Sequence, residues 1–108
     1  MGNTMFFDLF AGRDINKGVE EWKNTKGAVL LDVRTKEEYA DYHIGGSVNI
    51  PLDRLDTIGE VVPDQETPLF VHCLSGGRSA RAAAYLKESG YRHVRDIGGI
   101  NAYRGETV

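Results

Sequence analysis

The sequence predicts an α/β domain on a mainly parallel sheet, with helices covering both faces. Two buried-strand segments, the continuous apolar run Ala28-Val29-Leu30-Leu31 and Leu69-Phe70-Val71-His72, carry most of that expectation. Unbroken apolarity suits strands buried on both sides, which is the condition of a parallel sheet. Helix-forming stretches follow each run, and strands alternating with helices define the class. At 108 residues the chain has the length of one domain, 1–108, and can bury a core without staples.

Taken in chain order, residues 5–10 are apolar enough for a short edge strand. Asp14 is placed to cap a helix whose Ile15, Val19 and Trp22 form an i, i+4, i+7 stripe, with Trp22 as a core anchor. The run at 28–31 leads into Asp32-Val33-Arg34. Thr35 then opens a helix, and Glu38 three residues on completes a capping box; the helix ends near Tyr42. Residues 47–50 read as a strand stopped by Pro51. Asp53 starts a helical turn through Leu55 and Ile58, and 63–68 is a loop. After the strand at 69–72 comes a glycine-containing loop, then a helix over 78–89 rich in alanine, with Gly90 as its natural stop. Residues 93–97 form the last strand, followed by Gly98-Gly99.

Composition narrows the function. Hydrophobic residues at 41% and charged residues at 27% are those of a globular protein, and disorder is excluded. A net charge of −3 gives no basic stripe for nucleic acid. No apolar run would cross a bilayer, and the first ten residues lack the basic start and long apolar stretch of a signal peptide. The expected setting is therefore the cytoplasm, with neither nucleic acid nor membrane as partner. One cysteine excludes an internal disulfide and a cysteine-rich zinc site. His43 and His93 stand alone and read as turn or surface residues.

Chemistry concentrates in His72-Cys73-Leu74-Ser75-Gly76-Gly77-Arg78-Ser79. Cys73 ends a buried strand, and ligands of open parallel sheets bind beyond the carboxyl ends of strands. The glycines let successive N–H groups turn inward into an anion nest, and the following helix adds its unpaired N–H groups and dipole. From 72 to 81 there are two arginines and no acid. Such surroundings favour thiolate over thiol. The plainer alternative is a core cysteine before a glycine turn. His72 points to the opposite face from Cys73 and is expected to pack or hydrogen-bond beneath it. Asp32 and Arg34, at the end of the other buried strand, face the same crevice; Asp32 can orient loop N–H groups or pair with an arginine, Arg34 can add positive potential or make an ion pair, and the structural role is the expected one for both.

Three ordered segments give the chain a family resemblance over nearly its whole length. Residues 31–39 with 43–51, the loop Cys73–Ser79 of the form C-x-x-G-x-R-S, and Ile97-Gly98-Gly99 together resemble the rhodanese superfamily. The aromatic usual after the double glycine is here Tyr103, and little of the usual terminal helix follows it. The resemblance implies a single rhodanese-like domain, a thiosulfate sulfurtransferase or related persulfide carrier without a cofactor or metal. Cys73 would take sulfur from thiosulfate or a persulfide donor and pass it to cyanide or a thiol, small or protein-borne. Leu74, Ser75, Gly76, Gly77, Arg78 and Ser79 would hold the anionic sulfur, with Arg78 either facing it or bracing the loop, and Asp32 and Arg34 in support. Two other classes of function compete with this one. Phosphatases and arsenate reductases also cradle a cysteine, but such phosphatases space Cys and Arg by one residue more than the four found here. A non-catalytic interaction module would have no use for the cysteine.

Overall fold

The computed structural model describes residues 13–108; the strand expected at 5–10 lies outside that range. The elements run α1 (Ile15–Lys23), β1 (Val29–Asp32), α2 (Lys36–Asp41), β2 (Val48–Asn49), a 3-10 segment (Leu52–Thr57), α3 (Ile58–Val61), β3 (Leu69–Cys73), α4 (Gly77–Glu88), β4 (Val94–Gly99) and a second 3-10 turn (Ile100–Ala102). All strand pairs are parallel, in the order β2-β1-β3-β4.

The helix starts follow the local chemistry. Asp14 accepts the N–H of Asn16 at 3.0 Å and caps α1. Thr35 and Glu38 form the reciprocal capping box of α2. Gly76 occupies the cap of α4 with φ +109°, a left-handed conformation that a side chain would strain.

Alternation along the strands builds two cores. Leu31, Leu69, Val71 and Cys73 face α4 and α3, meeting Ala82, Leu86, Ile58 and Val62. Leu30, Phe70 and Ile97 face α1, meeting Ile15 and Val19, with Trp22 partly buried at the margin and bonded through Nε1 to the Ala28 carbonyl. Helices therefore cover both faces.

The end of β4 differs from the sequence expectation. β4 runs on through Gly98 and Gly99, because both pair with β3, opposite His72 and Cys73. A register shift between Val71 and His72 marks an irregularity at Ile97, where β4 carries one residue more than β3. Gly99 lies so close beneath the Cys73 loop that a Cβ there would collide with the Leu74 carbonyl and Ser75 Cα. Gly99 thus lets the loop pass tightly over the sheet, while Gly98 gives room to the Arg13 carbonyl. The chain leaves β1 toward β2 on one side and returns to β3 on the other, so the carboxyl ends of β1 and β3 form the topological switch point where such sheets bind ligands.

Candidate active site

Cys73 is the last residue of β3 and is 1% exposed. The chain turns back immediately, and its sulfur accepts the N–H of Gly76 at 3.0 Å and of Ser79 at 3.3 Å. The Ser79 hydroxyl lies 3.5 Å from the same sulfur. Burial pushes the Cys73 thiol up, but the Ser79 hydroxyl and the N–H groups of Ser79, Gly76 and Ser75 push it down by more, and the net direction is below an ordinary thiol. These donors are carried by a loop of consecutive residues, so the nest forms wherever the strand–loop–helix forms. Gly77 and Arg78 begin α4, and their N–H groups have no partner one turn back.

Arg78 does not turn its guanidinium into the nest. It forks onto Glu38, Nη1 to Oε1 at 2.7 Å and Nη2 to Oε2 at 3.0 Å, and so braces α4 against the start of α2. The guanidinium holds the Glu38 carboxyl down at about 2. Of the two orientations open in the sequence, the bracing one is observed.

Asp32 and Arg34 form a fully buried fork beneath the crevice, with Arg34 Nη2 2.8 Å from Asp32 Oδ2 and a second bond from Nη2 to the Tyr42 carbonyl. Asn49 donates to the carbonyls of both Asp32 and Arg34, tying β2 to the same corner. The pair orders the turn after β1 and does not touch the sulfur. His72 is fully buried on the α1 face. Its Nδ1 lies 3.2 Å from the Cys73 carbonyl, so in the neutral ring this nitrogen carries the proton. Nε2 faces Asp32 Oδ2 at 3.6 Å without a hydrogen-bond partner among the described residues. Burial lowers the His72 pKa, against the pull of Asp32. The ring sits beneath Cys73, as its strand position predicts.

Two residues at the site carry no signal in the sequence. Asp96, in β4, takes the Ser79 hydroxyl at 2.8 Å and the Gly98 N–H at 3.0 Å on Oδ1. Arg13 reaches Asp96 Oδ2 from Nε at 3.4 Å and donates from Nη2 to the Gly76 carbonyl at 2.8 Å. Only spatial folding joins them, since Arg13 and Gly76 lie 63 residues apart. No cluster of three or more metal-type ligands occurs among the described residues, and no helix among them is long and apolar enough to cross a membrane.

The arrangement can stabilise a thiolate and hold a second anionic atom beside it. Comparison with known proteins agrees in kind. The family model described as Rhodanese-like domain matches residues 15–106. The thiosulfate sulfurtransferase PspE of Escherichia coli is 39% identical over 71 residues, 65% of this chain and 68% of that protein. The adenylyltransferase and sulfurtransferase uba4 of Ogataea parapolymorpha is 35% identical over 92 residues, 84% of this chain but 24% of that longer protein. Among solved structures, a rhodanese with anions from E. coli superposes with a TM-score of 0.70 at 35% identity, covering 75% of this chain and 96% of the other.

Proposed function

The chain belongs to the rhodanese-like domain family, and we propose that it is a sulfurtransferase that carries sulfur as a persulfide on Cys73. The observation that supports this most is the sulfur of Cys73 at the switch point, accepting backbone N–H groups from Gly76 and Ser79. In the first half-reaction the Cys73 thiolate attacks the outer sulfur of thiosulfate. The S–S bond of thiosulfate breaks, sulfite leaves with the electron pair, and a persulfide anion remains. In the second, a nucleophilic acceptor such as cyanide or a thiolate takes the outer sulfur and returns the thiolate. The N–H groups of Leu74, Ser75, Gly76, Gly77, Arg78 and Ser79 are the donors available to the outer anionic sulfur. Arg78 contributes by fixing the loop through Glu38, and Asp32 and Arg34 by ordering the floor of the crevice.

One cysteine leaves no internal thiol to resolve the persulfide, so sulfur must leave to an external acceptor. Incubation with thiosulfate alone should add one sulfur to the intact mass and release about one sulfite per protein. Cys73→Ser should fold and show neither. Continued sulfite release with acceptors rigorously absent, or thiosulfate:cyanide turnover by Cys73→Ser, would overturn the assignment.

A further inference from the structure

Ser79 has one hydroxyl proton and several claimants for it. Its oxygen lies 2.8 Å from Asp96 Oδ1, 3.1 Å from the Gly76 carbonyl, 3.4 Å from the Gly98 carbonyl and 3.5 Å from the Cys73 sulfur. A carboxylate at the shortest distance is the strongest acceptor of the four, since a charged acceptor roughly doubles a hydrogen bond. Asp96 is held where it can make this claim. The Gly98 N–H fixes Oδ1, Arg13 fixes Oδ2, and the Asp96 side chain is only 16% exposed. Arg13 also holds the Gly76 carbonyl, which belongs to the loop that encloses the sulfur.

We propose that Asp96, secured by Arg13, is a positioning residue that draws the Ser79 hydroxyl proton away from the Cys73 sulfur and so keeps the thiolate more basic and more nucleophilic than its backbone nest alone would leave it. The inference rests on reading Cys73 as the sulfur-carrying nucleophile. With the thiol present, Ser79 donates to Asp96 and its oxygen can receive the S–H. With the thiolate present, sulfur and carboxylate compete for the same proton. An attacking thiol loses intrinsic reactivity as its pKa falls, and the best balance lies near ambient pH. A nest of three amides, left to add a committed hydroxyl donor, would overshoot that balance.

Other titratable and charged groups surround the site. Asp32 and His72 lie near the ends of β1 and β3, Arg34 pairs with Asp32, Arg78 pairs with Glu38 of α2, and Arg13 pairs with Asp96 of β4. A cycle of variants at 79 and 96 leaves all of these but Asp96 unchanged, so the hydroxyl-mediated part can be separated from the direct effect of its charge.

The test is the pH dependence of iodoacetamide alkylation on the free protein, which needs no sulfur transfer. Asp96→Asn should lower the midpoint by about one pH unit. It should also cut the high-pH plateau rate about threefold. Arg13→Gln, which frees the carboxylate to pull harder, should move the midpoint the opposite way. In a Ser79→Ala background the Asp96→Asn shift should be much smaller. An unchanged or raised midpoint in Asp96→Asn overturns the proposal, and so does an equal shift with and without the Ser79 hydroxyl. Melting temperatures within a few degrees of native would keep the comparison one between folded proteins. Should the alkylation shifts appear while thiosulfate loads no sulfur, the positioning role stands and the sulfurtransferase reading fails.

Discussion

His72 shows how one buried ring can set the acid limit of a small domain. It is fully enclosed, its Nε2 lacks a hydrogen-bond partner among the described residues, and burial holds its pKa below the ordinary 6.5. The unfolded chain binds that proton at the ordinary value and the folded one resists it. Below about pH 6.5 the unfolded state therefore holds more protons, and stability falls as pH falls toward the lowered folded value. Urea unfolding at pH 7.5 and 5.5 should show this loss in the native protein and a flatter dependence in His72→Phe. An equal loss in the variant would place the acid sensitivity elsewhere. Cys73, one residue on, obeys the opposite balance. It too is buried, but its charged form finds amide donors, so the direction of its shift is set by hydrogen bonds that His72 lacks.

At the scale of elements, the fork between Arg78 and Glu38 joins the helix after Cys73 to the helix after β1. Both side chains are about a third exposed, so the pair is modest in energy, on the order of 1 kcal/mol. Glu38→Gln keeps one oxygen for the Thr35 N–H of the capping box and removes the charge together with one of the two acceptors of the fork. A double-mutant cycle of Glu38→Gln with Arg78→Ala should give a coupling of about 1 kcal/mol at pH 7. Because Glu38 is held at about 2 against an ordinary 4.5, this stability is complete above pH 4.5 and disappears as pH falls through about 2. A coupling within error of zero at pH 7 would mean that the fork is a contact without consequence. The same fork marks what the sequence made legible. Strand, loop and helix around Cys73 are consecutive, so local propensity and glycine placement reveal them. The Thr35–Glu38 capping box and the Asp14 cap are equally local. The Glu38 to Arg78 contact spans 40 residues and the Ser79 to Asp96 contact 17, and neither has a signature of its own in sequence. The extension of β4 through Gly98-Gly99 was hidden for a different reason. Glycine is a poor strand former, Gly98 has a φ of +96°, and only pairing with His72 and Cys73 carries the strand through both residues.

For the molecule as a whole, the two cores divide the labour. One face packs α4 and α3 on Leu31, Val71 and Cys73, and the other packs α1 on Leu30, Phe70 and Ile97. The α/β architecture was readable because both central strands are continuously apolar. Their order in the sheet was not, since it depends on which edge each crossover takes. Cys73 belongs to the first of these cores, with 1% of its surface open to solvent. Entry is therefore a matter of bulk. A thiol so enclosed is expected to stand behind a molecular sieve, which admits a thin reactant end-on and turns away a broad one whatever its intrinsic electrophilicity. Iodoacetamide and a fluorescein maleimide should react at a rate ratio severalfold higher on the folded protein than on the same protein in urea. Equal ratios in the two states would mean that the loop opens faster than reagents arrive, leaving the closed position of Cys73 without influence on which reactants reach it.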